Sequence, residues 1–372
     1  MDTQRPIRIG LIAPTLQIPG GHAVQAARLL AAWRGDGTVQ ARLVPINPPP
    51  PAPFAALSAV KIVRTALTQL CYWPSLLREM PTLDVVHVFT PSNSSFFRSS
   101  LPAILVAWLH GKRVIVNYRG DGREHLSRSR LTRRVMRSVD VIAVPSGYFA
   151  EIFRELNLQS HVVPNIADLA AFRYRVRDPI GPRFISTRHF EPLYNVQCTL
   201  RAFARVQARY PDATLVLAGG GSQERHLRRL AQQLTLRGVT FTGPVTQRTI
   251  SALYDAADIY VQTPVIDNMP GSLVEAFACG LPVVATSVGG VPVILQHGVH
   301  GLLAPSGDDE AVASQMMHML EHPDAARRMA MAARSSSNAY DAAVVREKWR
   351  AVYVAVASPR DGRLRRDHAA HQ

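Results

Sequence analysis

Short apolar runs of strand length alternate with helix-length segments along nearly the whole chain, and nothing else in the sequence constrains the fold as tightly. Strands are expected at residues 7–13, 84–89 (DVVHVF), 113–117 (RVIVN), 139–144 and 161–164. Helices are expected at residues 22–33, 102–110, 123–138 and 148–156. A buried strand followed by a helix, repeated, predicts a parallel sheet with helices on both faces. Residues 172–182 (FRYRVRDPIGP) lose the rhythm and carry prolines and a glycine, the composition of a linker. A second series then begins, with strands at 183–186, 214–218, 240–242 and 259–262 and helices at 196–210, 223–236 and 249–256. Val345, Trp349, Val352, Tyr353 and Val356 fall on one side of a final amphipathic helix.

At 372 residues the chain fits two domains of ordinary size, and 47% hydrophobic residues exclude a disordered polymer. Lys and Arg number 42 against 27 Asp and Glu, giving a net charge of +15 that favours anionic partners. Cys71, Cys198 and Cys279 lie far apart, in neither CxxC nor metal-ligand spacing, as expected of reduced thiols in a cytosolic protein. The start reads as a first strand, not as a secretion signal. The most apolar window, residues 101–109 (LPAILVAWL), has about half the length of a spanning helix, so no transmembrane segment is expected.

Chemistry concentrates in residues 267–290 (DNMPGSLVEAFACGLPVVATSVGG). Asp267 and Glu275 stand eight positions apart across a loop-to-helix boundary. Asn268, Pro270, Gly271 and Ser272 are turn and helix-start residues. Leu273 to Ala278 make a short buried helix that Gly280 and Pro282 stop, residues 282–285 a buried strand, and Gly289-Gly290 a tight turn. A carboxylate accepts from ribose or sugar hydroxyls, and first-turn amides meet a phosphate.

The segment AFACGLPVVAT (residues 276–286) resembles the nucleotide-sugar-binding signature of retaining GT-B glycosyltransferases of group 1, family 4. In that signature two glutamates flank seven residues ahead of an A-x-A-x-G-x-P-V-V-A-T segment. Glu275 falls on the second acid, and Asp267 stands where the first glutamate is usual. The resemblance implies an α/β GT-B fold: two Rossmann-like, doubly wound parallel-sheet domains with an interdomain cleft. Residues 1–171 would form the acceptor-side domain, joined by the C-terminal helix 343–357. Residues 172–182 would link it to the nucleotide-sugar-binding domain 183–342, with 358–372 as a flexible tail.

Residue by residue, the resemblance implies that Glu275 holds ribose, Asp267 the transferred sugar's hydroxyls, and Arg188 the donor diphosphate. The family pairs that arginine with a lysine five residues on, but Leu193 occupies the position here. A guanidinium binds a diphosphate in two-pronged fashion, so one cation can suffice. Further donor contacts are expected from Asn195, Gly271, Ser272 and Leu273. The glycine pair Gly20-Gly21 after the first strand and the loop glycines Gly219, Gly220 and Gly243 are expected to border the donor. AGGGS (residues 218–222) has Glu224 where a third fingerprint glycine would stand, which argues against a nicotinamide site. NYRGD (residues 117–121) replaces a family histidine, and Arg119 and Asp121 either reach the acceptor side or form a plain strand-end turn.

The implied reaction moves a sugar from a nucleotide-diphosphate sugar to a hydroxyl of a sugar or lipid-linked acceptor, with retention. Neither metal nor further cofactor is implied, the nucleotide sugar being a co-substrate. The expected setting is bacterial cell-surface polysaccharide or glycolipid synthesis on the cytoplasmic side, peripheral to the plasma membrane. A GT-B-fold nucleotide-sugar epimerase and a catalytically silent GT-B scaffold are the rival readings. Arg123, Arg128, Arg130, Arg133, Arg134 and Arg137 form either a solvated face or a site for anionic lipid. No recognition motif accompanies them, which argues against nucleic acid. After the proline run at 48–53, residues 54–80 read either as core-facing helices or as an interfacial helix at a membrane.

Overall fold

The computed structural model describes residues 5–17, 20–49, 61–120 and 122–358. Asp121, most of the proline run with residues 54–60, and the tail beyond 358 therefore lie outside the described residues.

Two compact units form. The first comprises the described residues of Met1–Pro145, Ala150–Val163 and Ala342–Gln372; the second comprises Ser146–Phe149 and Pro164–Asp341. The first contains β1 (Ile7–Ala13), β2 (Val39–Pro45), β3 (Val85–Thr90), β4 (Arg113–Tyr118), β5 (Val141–Val144) and β6 (His161–Val162). They lie in the order β2-β1-β3-β4-β5-β6, and every pair is parallel. The second contains β7 (Arg183–Ser186), β8 (Thr214–Ala218), β9 (Val239–Gly243), β10 (Ile259–Gln262), β11 (Val283–Thr286) and β12 (Leu302–Ala304). Their order is β12-β11-β10-β7-β8-β9, again wholly parallel.

All residues of β3, β10 and β11 are buried. Strands covered on both faces need such continuous apolar runs, which is why they stood out in the sequence. Edge strand β2 (VQARLVP) interleaves polar residues and exposes Gln40, so its apolar signal is diluted and the sequence reading passes over it.

One expected element is corrected. The basic segment 123–138 is not a single helix but two, Gly122–Arg128 and Arg130–Ser138. Ser129 interrupts it: with extended backbone, its hydroxyl accepts from the Thr132 amide at 3.1 Å and caps a new helix.

Helix Ala342–Ala357 belongs to the first unit and packs on β1, β3 and helix Gly21–Ala32. It buries Val345, Trp349, Tyr353 and Val356. The Tyr353 hydroxyl meets His87 Nδ1 at 2.7 Å, and His87 Nε2 lies 2.9 Å from Asn117 Nδ2 on β4. Burial, reinforced by Arg119, holds the His87 imidazole well below its usual pKa, so the ring serves as a neutral hydrogen-bonding bridge.

In the second unit the chain starts in the middle of the sheet at β7, winds out through β8 and β9, then returns to β10 on the other side. The carboxyl ends of β7 and β10 thus flank the point where the winding reverses. In open α/β sheets that is where the loops part and leave a crevice.

Candidate donor site

Arg188 leaves the end of β7 and Asp267 follows the end of β10. The Arg188 Nη2 group donates to Asp267 Oδ2 in a close ion pair, and Nη1 donates to Ser272 Oγ at 2.8 Å. The Tyr194 ring lies under the guanidinium, 4.1 Å from Cζ to ring centroid. Only 10% of the Arg188 side chain and 11% of Asp267 remain exposed, so neither charge is neutralised by bulk water. Burial pushes the Asp267 carboxyl up, with Arg188 and the amides of Met269 and Asn268 opposing. Burial also disfavours the Arg188 cation, but Asp267 and the surrounding tyrosines overcome this and keep its proton more firmly than usual.

Helix Gly271–Ala278 carries the rest of the site. Ser272 opens it, and one turn later Glu275 accepts from the Tyr254 hydroxyl at 3.1 Å. That hydroxyl also lies 2.6 Å from Thr187 Oγ1 and 3.3 Å from the Ser272 carbonyl oxygen. Tyr254 is fully buried on helix Gln247–Ala256, and burial, then the Glu275 charge, holds its phenol far above the usual range. It remains a donor and orients the glutamate.

The neighbouring Gln262, closing β10, accepts from Tyr260 Oη at 3.1 Å and from Ser272 Oγ at 3.4 Å. Its Nε2, together with Arg188 Nε and Ser186 Oγ, is buried without a hydrogen-bond partner. Three polar atoms left open around the adjacent ends of β7 and β10 are the expected mark of a site completed by a ligand.

Glycine makes this geometry possible at two places. The Gly290 amide donates to the Asp267 carbonyl at 2.8 Å, and a Cβ at position 290 would overlap the Asn268 carbonyl. At Gly219 a Cβ would overlap the Arg188 carbonyl, so the loop after β8 packs directly beneath the end of β7. The Phe190 amide donates to Gly220 at 2.9 Å and the Gly219 amide to Gly243 at 3.1 Å, bringing Gly219, Gly220 and Gly243 to the same rim. Asn195 takes a left-handed conformation at the start of helix Val196–Arg209, and its carbonyl accepts from Thr263 Oγ1 at 2.8 Å. Leu273 is fully buried and packs in the core, so any part it has in ligand binding runs through its backbone. Leu193, at the family's lysine position, is 40% exposed.

Gly20, Gly21 and Arg119 lie in the other unit. Gly21 starts helix Gly21–Ala32. Arg119 donates from Nε to Asn117 Oδ1 at 3.1 Å and stacks 5.2 Å over Phe89. His22 is held down to about 4 by burial and then by the charge of Arg119, so the glycine pair and Arg119 share one end of the sheet.

Sequence reasoning missed Thr187, Tyr194, Tyr254 and Gln262. Tyr254 reads as an ordinary core position of a helix, and only Gln262, a polar residue closing the run IYVQ, carried a local signal.

These two parallel six-stranded sheets define a GT-B protein. Solved structures agree on the fold. HepE of Anabaena, in complex with UDP and glucose, superposes with a TM-score of 0.73 at 16% identity, covering 94% of this chain and 100% of that one. Sucrose-phosphate synthase from Thermosynechococcus elongatus gives 0.73 at 19% identity over 94% and 98%. The family profile described as Glycosyl transferases group 1 matches residues 176–336. Phosphatidyl-myo-inositol mannosyltransferase of Mycobacterium leprae is 25% identical over 374 residues, covering 95% of this chain and 98% of that enzyme. N-acetyl-alpha-D-glucosaminyl L-malate synthase of Bacillus anthracis is 32% identical over 153 residues, only 41% of this chain and 39% of that enzyme. Residues 176–336 thus carry a group 1 glycosyltransferase domain, and the chain over nearly its whole length is similar to glycosyltransferases of that group, family 4, which retain anomeric configuration.

Proposed function

We propose that the chain transfers a hexosyl group from a nucleoside-diphosphate sugar to a hydroxyl of a glycolipid or polysaccharide precursor at the cytoplasmic face of the membrane. The observation that carries this reading is the convergence of Arg188, Asp267, Ser272 and Glu275 at the carboxyl ends of β7 and β10. As the sugar–phosphate bond breaks, charge grows on the departing diphosphate while the sugar becomes oxocarbenium-like. A preorganised guanidinium and the first-turn amides of helix Gly271–Ala278 stabilise that charge where water is excluded. Glu275, oriented by Tyr254, accepts from the ribose hydroxyls, and Asp267 accepts from hydroxyls of the transferred sugar.

The relatives support the setting. Those with the widest coverage are named for mannosyl transfer to phosphatidyl-myo-inositol, and HepE is described with UDP and glucose. Arg119, with the Gly20-Gly21 turn beside it, is proposed to serve the acceptor side.

The test is release of UDP or GDP from a panel of nucleotide sugars in the presence of lipid-linked acceptors. One donor should turn over with acceptor present, and Glu275→Ala should abolish that turnover. If no donor binds and Glu275→Ala changes nothing, the reading falls. Turnover without acceptor, giving an altered sugar, would point to the epimerase reading.

A further inference from the structure

One arginine of the second unit is buried away from the donor residues and takes no part in the chemistry described so far. Arg177 is 1% exposed, and each of its hydrogen-bond partners among the described residues is a main-chain carbonyl. Its Nη2 donates to Tyr254 at 2.9 Å, Nε to Ala257 at 3.3 Å and Nη1 to Arg175 at 2.9 Å. Nη1 also donates to the Cys279 carbonyl. Burial, then the charge of Arg175, lowers its pKa to about 10, so the guanidinium keeps its proton at neutral pH.

Those carbonyls close two helices. Tyr254 and Ala257 stand at the end of helix Gln247–Ala256, and Cys279 follows helix Gly271–Ala278 directly. The last carbonyls of a helix lack partners within it and carry the negative end of its dipole. A planar fork of N–H groups satisfies several of them at once, where an ammonium reaches fewer. Gly280 lets the strap 174–177 lie this close. It takes a φ of 72°, and a Cβ there would overlap the Tyr174 ring and the Arg175 carbonyl.

The two helices so clasped are the ones that bring Tyr254 and Glu275 together. At the site, the Tyr254 hydroxyl donates to Glu275 at 3.1 Å. At the helix ends, one guanidinium holds the Tyr254 carbonyl and the carbonyl of Cys279, just past the helix of Glu275. The pair is thus tied twice, once by its own hydrogen bond and once through Arg177. We propose that Arg177 is a positioning residue of the donor site: it touches no substrate, but fixes the spacing of these two helices and hence the aim of the Glu275 carboxylate. The side chain of Arg175 differs, since it holds only the end of helix Gln247–Ala256 and the residues after it. It donates to the carbonyls of Asp255 and Ala257 at 2.7 and 3.2 Å and pairs with Asp255 and Asp258. The inference rests on the donor reading, in which Glu275 holds the ribose.

Arg177→Lys keeps the charge and loses the fork. At a temperature where circular dichroism shows it fully folded, it should bind UDP or GDP more weakly and raise the donor KM about three- to tenfold, with a smaller change in kcat. Combined with Tyr254→Phe, the rise in KM should fall short of the product of the two separate rises, because both variants act through one pair. Arg175→Lys should lower the melting temperature yet leave KM near that of the parent. Gly280→Ala pushes the strap off the helix end with Arg177 intact, so it should raise KM as well, and it carries the test if Arg177→Lys does not fold. Unchanged nucleotide binding and KM in the folded variants of Arg177 and Gly280 overturn the inference and leave the donor reading standing. A rise in KM with Arg175→Lys equal to that with Arg177→Lys overturns it too, since lost stability alone would then account for both. A parent that binds no nucleotide brings down the donor reading and this inference together.

Discussion

Arg188 and Asp267 neutralise each other in a pair nine-tenths removed from solvent, at the point where the second sheet reverses its winding. A diphosphate that takes the guanidinium must share it with the carboxylate or displace it. Asp267 is the arginine's internal counter-ion, and the proposed donor reading has it released toward the sugar when the diphosphate takes Arg188. Asp267→Asn should bind UDP or GDP more tightly, by about three- to tenfold, because an anion beside the phosphate site is removed. The same variant should transfer sugar at least about a hundredfold more slowly, since the sugar loses a charged acceptor. Calorimetric titration with nucleoside diphosphate and a donor-turnover assay measure the two effects separately. Weaker nucleotide binding would contradict the counter-ion role.

Arg188 offers a planar fork that Asp267, Ser272 Oγ and the Tyr194 ring hold on three sides. A lysine keeps the charge but loses the fork and the stacking. Arg188→Lys should lower donor turnover about ten- to a hundredfold, through kcat more than KM, because the diphosphate charge grows in the transition state. Leu193→Lys in that background places a cation at the family's usual spacing, on an exposed position that costs the fold little. It should recover part of the loss. Steady-state kinetics of the parent and both variants decide the matter, and no recovery would show that this turn no longer faces the diphosphate.

Tyr254 spans Thr187, Ser272 and Glu275 through a single hydroxyl. Removing it takes one hydrogen bond from Glu275 and one from Thr187, yet keeps the ring packed against Phe172 and Tyr260. Tyr254→Phe should cost about 1–3 kcal/mol of stability. It should raise the donor KM several-fold with little change in kcat, as expected when a positioning contact to the acid proposed to hold the ribose is lost. Thermal melts with donor kinetics test this; an unchanged KM would remove Tyr254 from the donor site.

How much of this was legible follows from where each signal resides. The buried strands β3, β10 and β11 announced themselves because parallel strands covered on both faces are predominantly apolar. Asp267, Glu275 and the glycine turn were legible because loop, cap and strand residues sit consecutively in one stretch. The partners Tyr254, Thr187 and Gln262 were not, since they reach the site from separate strands and a helix, and spatial convergence leaves no trace in local spacing. The break at Ser129 was hidden for the opposite reason: arginines on both sides are good helix formers, and only the cap geometry reveals that Ser129 ends one helix and starts another.

The C-terminal helix closes onto the first unit through an ionic clasp as well as through its apolar face. Arg350 Nη2 meets Asp36 Oδ2 at 2.7 Å, and its guanidinium lies 5.3 Å over the Trp33 ring. The Asp36 carboxylate also accepts from the amides of Thr38 at 2.8 Å and Val39 at 3.1 Å. Burial disfavours its charge, but the hydrogen bonds from Arg350, Thr38 and Val39 outweigh that and hold the carboxyl well below the usual range. A depressed carboxylate pKa stabilises the fold above the unfolded-state value, roughly 3.9, and that contribution is lost as pH falls through the folded value. Asp36→Asn should therefore destabilise the protein by about 1 kcal/mol or somewhat more near neutral pH. The gap between variant and parent should narrow steadily below about pH 4. Melting temperatures of both proteins across that range supply the check. A gap that stays constant in acid would mean that Asp36 holds the turn through its shape, not its charge.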